Sequence, residues 1–165
     1  MIELNDVPAI EESQRGVMAG LAESGLVTGQ DFEAKVLNAQ GDLPTLSSMV
    51  DSAIGDQSDM LIVISTVALQ AAIKKVQTIP IVFAQVTDPI KAGAGRSLTD
   101  HLPNVTGSTP LSDHNQMIKV IRTCLPSVKR IGTLFNPSED NSVIQKDGLI
   151  AAAKKEGIEV EAVGI

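Results

Sequence analysis

The stretch from Met60 to Pro89 constrains the fold of this chain more than any other. Two short, continuously apolar and largely β-branched runs, Met60-Leu61-Ile62-Val63-Ile64 and Ile81-Val82-Phe83-Ala84, flank a segment rich in helix formers, Val67 to Gln77. Strands covered on both faces of a parallel sheet have no need of polar alternation, and these runs show none. The segment between them is long enough to carry the chain back for a second parallel strand. A βαβ unit with two central strands is therefore expected. Ligands of such units bind outside the carboxyl ends of the strands, which here carry Ser65-Thr66 and Thr87-Asp88.

The remaining sequence extends this alternation. Pro8 to Glu23 places Ile10, Val17, Met18 and Leu21 on one helical face, with Gly25 as a stop. Phe32 to Leu37 reads as a strand, followed by the turn-rich Asn38-Ala39-Gln40-Gly41-Asp42. Asp42 can cap the next helix, Pro44 suits its first turn, and Leu43, Leu46, Met49, Val50 and Ile54 make its apolar stripe. After Asp88 the regular pattern breaks in a polar loop, Thr99 to Asn104. Residues 1–103 are thus expected to form a first α/β lobe, 104–110 a crossing segment, and 111–165 part of a second lobe. In that second part Ser112 or Asp113 can cap a helix on which Met117, Ile118, Ile121, Cys124 and Leu125 share a face, ended by Pro126. Val128 to Phe135 then reads as a strand, Asn136 to Ser142 as a loop, Val143 to Glu156 as a helix and Ile158 to Val163 as a strand.

Composition excludes several classes of function. The 165 residues, 43% of them hydrophobic, suffice for a real core, and 20 acidic against 13 basic residues give a net charge of -7. With no Lys/Arg cluster, such a chain repels a nucleic-acid backbone. Its apolar runs are of strand length, short of the roughly 20 residues that span a bilayer. Met1 to Asp6 lacks the basic start and apolar core of a secretory signal, so an export signal was either removed from this chain or never part of it. The one cysteine, Cys124, is expected to be a buried thiol on its helix.

No catalytic or metal motif emerges. His101, His114 and Cys124 show no metal-ligand spacing, and the chain has no Gly-x-Ser-x-Gly elbow and no phosphate loop. Gly93-Ala94-Gly95 lacks the third glycine of a dinucleotide fingerprint. No cofactor is expected. What remains is a set of polar loops. Ser65-Thr66 opens a helix, where hydroxyls and free N–H groups suit a carboxylate or serve as an ordinary cap. Asp88, before Pro89, can accept from a ligand ammonium group or from its own loop. Asn136 to Ser142 holds several donors and acceptors, a composition that helix capping alone also requires.

Five segments carry a family resemblance: Pro8-Ala9-Ile10-Glu11; Asn38-Ala39-Gln40-Gly41-Asp42; Ile79-Pro80-Ile81-Val82-Phe83-Ala84-Gln85-Val86-Thr87-Asp88-Pro89; Asn104-Val105-Thr106-Gly107-Ser108; and Asn136-Pro137-Ser138-Glu139-Asp140-Asn141-Ser142. In order and spacing, across nearly the whole chain, they resemble the substrate-binding proteins of a bacterial ABC-transporter family often associated with tryptophan or tyrosine uptake. That family has the type I periplasmic-binding-protein fold. The resemblance implies two α/β lobes of parallel βαβ units that close on a ligand about a hinge, with residues 104–110 as one hinge strand. Members are longer, so this chain is expected to be a fragment with an incomplete second lobe, which either forms a homo-oligomer through exposed sheet edges or binds ligand with incomplete affinity.

The site implied by the resemblance comprises Asn5, Asp6, Val7, Ser65, Thr66, Thr87 and Asp88 from the first lobe and Ser108 and Thr109 near the hinge. Glu139, Asn141 and Ser142 would come from the second lobe. For an amino-acid ligand the helix-start hydroxyls would take the carboxylate, and Asp88 or Glu139 the ammonium group. The implied role is non-enzymatic: capture of a small zwitterionic solute such as an amino acid for ABC permease subunits, in a parent protein that is periplasmic or membrane-anchored outside the cell. With Phe32, Phe83 and Phe135 the only aromatic residues, stacking on an aromatic ligand is poorly supplied. The alternative is a ligand-sensing regulatory domain of the same two-lobed fold, distinguished by an attached helix-turn-helix instead of a signal peptide or lipid-attachment cysteine.

Overall fold

Both apolar runs of the Met60 to Pro89 stretch are strands, and they pair in parallel, Leu61 with Ile81 through Ile64 with Ala84. The computed structural model describes residues 1–110 and 112–165, in two units, Met1–Pro110 and Leu111–Ile165. Leu111, where the second lobe is expected to begin, lies outside the described residues.

The first unit runs β1 (Ile2–Glu3), α1 (Pro8–Glu23), β2 (Leu37–Asn38), α2 (Leu43–Gly55), β3 (Leu61–Ile64), α3 (Thr66–Ile73) and β4 (Ile81–Ala84). It continues with β5 (Gly95–Ser97), β6 (Asp100–His101) and β7 (Val105–Gly107). Five strands form one parallel sheet in the order β2-β1-β3-β4-β7, with β3 at its centre. Every strand in it therefore ends on the same edge. The residues of the expected crossing segment from Val105 to Gly107 are the outer strand of this sheet.

Packing explains why the chain settles this way. Val63 and Ile81 are wholly buried in one cluster with Val50 of α2 and with Ala68, Leu69 and Ala72 of α3. Burying a Leu or Val side chain stabilises by about 1.5–3 kcal/mol, so this cluster supplies the drive for the unit. On the opposite side α1 packs against β3, where Ile10 and Ile64 are buried, and Gln85 Nε2 donates to Ser13 Oγ at 2.8 Å. Asp42 caps α2 as its spacing predicts, accepting from Thr45 N at 2.8 Å, and that bond holds its carboxyl below the usual aspartate range.

Several local expectations are corrected. Phe32 to Leu37 is not a strand: pairing covers only Leu37–Asn38, and Phe32 makes an isolated bridge with Thr28. Glu33 to Val36 are exposed, so the alternation there has no core to face. In the α2 stripe Leu43 and Ile54 are exposed and Ala53 is buried in their place. The loop Thr99 to Asn104 includes β6, which pairs antiparallel with β5.

The second unit runs α4 (His114–Cys124), β8 (Arg130–Phe135), α5 (Asp140–Lys155) and β9 (Glu159–Gly164), with β8 and β9 parallel in unbroken register. Asp113, not Ser112, caps α4 by accepting from Gln116 N. Ile118, Ala152, Ala153 and Ile158 form the core. Arg122 joins the end of α4 to the turn after α5, donating to the carbonyls of Val128 and Glu156. Cys124 is exposed, contrary to expectation, because the packed face of α4 is confined to Ile118 and Ile121; Met117 and Leu125 are exposed with it. Burial alternates along β8 and β9, so one sheet face is covered while the other presents Leu134 and Val163.

Candidate functional site

The carboxyl edge of the five-stranded sheet gathers most of the residues singled out in the first unit. In register, Asn38, Glu3, Ile64 and Ala84 stand side by side across four strands. The chain segments leaving these positions carry Gln40, then Asn5 and Asp6, then Ser65 and Thr66, then Gln85, Thr87 and Asp88. Ser108 follows β7 and its N–H donates to Phe83 O at 2.9 Å, so it joins the same edge; Thr109 follows it and both are exposed.

Backbone strain marks this edge. Gln40, Ser65 and Gln85 hold positive φ values of 52°, 106° and 56°. At Ser65, φ 106° with ψ 158° lies in a region that is essentially reserved for glycine and costs of order 1–3 kcal/mol. Ser65 is nonetheless the cap of α3, its Oγ accepting from Ala68 N at 3.3 Å, and its N–H donates to Ala84 O. Thr66 is buried and its Oγ1 accepts from Thr87 N at 3.4 Å, which ties the ends of β3 and β4 together. The first N–H groups of α3 open onto this edge with the positive end of the helix dipole.

Asp88 is committed to its own turn: Oδ1 accepts from Ile90 N and Lys91 N, both at 3.0 Å. Asp6 is exposed and accepts from Asn38 Nδ2 and, at 3.0 Å, from Gln40 Nε2. Asn5 and Val7 are exposed beside it. Glu3, Asn38, Gln40 and Gln85 escaped the sequence reading as site residues. Their signal is structural: a buried carboxylate in Glu3 and left-handed backbone at the two glutamines.

In the second unit Glu139, Asn141 and Ser142 lie where β8 hands over to α5. That helix begins at Asp140, earlier than the expected Val143, so Asn141 and Ser142 belong to its first turn. Asn136 Nδ2 donates to Glu139 Oε1 at 3.0 Å, Asn141 Nδ2 to Glu139 Oε2 at 3.3 Å, and Asn136 N to Ser142 Oγ at 2.8 Å. Asn141 Oδ1 is buried with no partner.

A cavity of about 480 Å³ lies at the opposite end of the first sheet, lined by Ile2, Met18, Leu21, Leu37, Leu61 and Ile62 among others. It is mostly apolar and holds none of the predicted site residues, so volume alone does not locate the site.

Parallel βαβ units in an open sheet, with strained polar loops along its carboxyl edge, define an α/β protein of the open-sheet class. The ABC transporter substrate binding protein family matches residues 2–165, and the chain belongs to that family. A tyrosine-binding protein of Clostridioides difficile is 34% identical over 163 residues, 99% of this chain and 47% of that protein. A Streptococcus ABC domain solved in complex with L-Trp superposes with TM-score 0.93 at 29% identity, covering 99% of this chain and 55% of that one. A conserved domain protein of Vibrio cholerae gives TM-score 0.91 at 32% identity, with 99% and 55% covered. The fold is the type I periplasmic-binding-protein fold, and the chain spans about half the length of the curated relative it matches.

Proposed function

We propose that this chain supplies the solute-binding surfaces of an ABC importer's binding protein and holds a small zwitterionic solute, an amino acid of the tyrosine or tryptophan kind, without catalysis. The observation that carries this reading is Ser65, kept in a glycine-type conformation at the head of α3 on the sheet edge. Strain of that size persists where the surrounding structure holds a residue for a purpose. The solute carboxylate sits at the α3 N-terminus, among the Ser65 and Thr66 hydroxyls and free N–H groups. Asn5, Thr87, Asp88, Ser108 and Thr109 complete the first-lobe surface; Glu139, Asn141 and Ser142 supply the second, with residues 104–110 as a hinge between them. The names of the relatives, one binding tyrosine and one solved with L-Trp, support the amino-acid class. ABC permease subunits are the partners, and the parent protein works in the periplasm or anchored outside the cell.

Thermal unfolding of the chain against free amino acids, with sugars as controls and a size measurement on each sample, tests this reading. A saturable rise in melting temperature with tyrosine or tryptophan is expected, since a ligand of the native state stabilises it by mass action. A rise with sugars alone, or none with any amino acid, sinks it.

A further inference from the structure

At the carboxyl end of β1, Glu3 is only 3% exposed. Its Oε1 accepts from Asn38 Nδ2 at 2.8 Å, while its Oε2 is shut from water with no partner. The same Asn38 nitrogen also donates to Asp6 Oδ1, which spends both of its hydrogens. Asn38 Oδ1 in turn accepts from Gln40 N at 2.8 Å and Gln40 Nε2 at 3.1 Å, so the bridging amide has nothing left to give. Two carboxylates are thus gathered around one neutral nitrogen. None of the ion pairs among the described residues involves either of them. Met1 N donates to Lys35 O and to neither carboxylate.

We infer that Glu3 and Asp6, bridged by Asn38, form the subsite that reads the ammonium group of the solute; this rests on the amino-acid reading above. A buried acceptor without a donor is costly and calls for one. A primary ammonium brings three donors and a positive charge, enough to satisfy Glu3 Oε2 and engage Asp6. A hard metal ion fits worse: it needs six or more oxygens, the Asn38 oxygen is already engaged, and no cluster of three or more His, Cys, Asp or Glu able to hold a metal occurs among the described residues. Asp88 and Glu139, the acids that the resemblance puts forward for this role, accept hydrogen bonds within their own loops. Asp6 is exposed and Glu3 is buried behind the shared Asn38 amide.

The test is calorimetric titration of the chain with L-tyrosine and L-tryptophan and with their deamino analogues, 3-(4-hydroxyphenyl)propionate and indole-3-propionate. Wild type, Glu3→Gln and Asp6→Asn are compared. Wild type should prefer the amino acid by roughly ten- to a hundredfold, and each variant should reduce that preference to near unity while still binding the deamino compound. An unchanged preference in both variants overturns the subsite and leaves the amino-acid reading standing, as does a wild type that binds amino acid and analogue equally. A wild type that binds none of the four defeats the amino-acid reading and this inference with it. Should Glu3→Gln fail to fold, Asp6→Asn, altered at an exposed position, decides alone.

Discussion

Ser65 and Gln85 are each the first residue beyond adjacent parallel strands, and both hold left-handed backbone, at φ 106° and 56°. Neither is glycine, so the sheet edge stores strain at two neighbouring strand ends. For Ser65 this separates stability from binding. Ser65→Gly removes the strain and loses only a few tenths of a kcal/mol as a cap, so it should raise stability by about 1 kcal/mol. Ser65→Ala keeps the strain and loses the cap, so it should lower stability by about 1 kcal/mol. Both should weaken amino-acid binding if the hydroxyl holds the carboxylate. Urea unfolding and calorimetry on the two variants check this; equal stability of both would show that the backbone there carries no strain.

Acid should act on the first unit through the cap of α2. The Thr45 hydrogen bond lowers the Asp42 pKa below its ordinary 3.8. A depressed folded-state value means that the stabilisation is fully present above the ordinary value and is lost as pH falls through the folded one. Asp56, lowered by Lys35, acts in the same direction. Asp42→Asn keeps a capping oxygen but does not titrate. Its melting temperature should therefore fall less than that of wild type below about pH 4, with the two curves parallel at higher pH. Melting scans from pH 7 to 2.5 read this directly, and identical acid profiles would remove Asp42 from the account.

What the sequence discloses follows from how many residues share one environment. β3, α3 and β4 were legible because none of their residues is exposed, and Asp42 because a cap is a one-residue chemical signal. β1 and β2 are two residues each, too short for any period to register, and Phe32 to Leu37 alternates without a core behind it. Ser65, Thr66 and Asp88 stand out as polar residues at strand ends. Gln40 and Gln85 do not, because nothing about glutamine predicts left-handed backbone; the strain comes from the sheet edge. Glu3 was invisible for a similar reason: a glutamate near a terminus reads as solvated until its neighbours close over it.

The second unit depends on a close approach between its helices. A Cβ on Gly148 of α5 would lie 2.6 Å from the His114 ring of α4. That ring cannot swing aside without losing the Nε2 contact with Gln145 Oε1 at 2.9 Å. Gly148→Ala should therefore cost about 1–3 kcal/mol through overpacking, outweighing the better helix propensity of alanine. Adding His114→Ala should restore part of that loss, because the ring is the obstacle. Denaturant midpoints of the two single variants and the double variant give the coupling, and strict additivity would mean that the helices separate freely.

Leu134 and Val163 are paired in register on the uncovered face of β8 and β9, at 66% and 49% exposure, with Ile165 beside them at 77%. Apolar area in water favours burial at about 25 cal/mol per Å², and a flat strand pair offers an approaching copy a ready surface. The isolated chain should therefore self-associate with rising concentration. Leu134→Lys, which places a charge at the centre of that face, should shift the equilibrium toward monomer by tenfold or more, on the order of 1.4 kcal/mol. Because Leu134 is already exposed, the substitution should leave the melting temperature of the monomer within a few degrees of wild type. Sedimentation velocity across a hundredfold concentration range measures both proteins. A wild type that stays monomeric throughout would show that Leu134 and Val163 tolerate water without a partner.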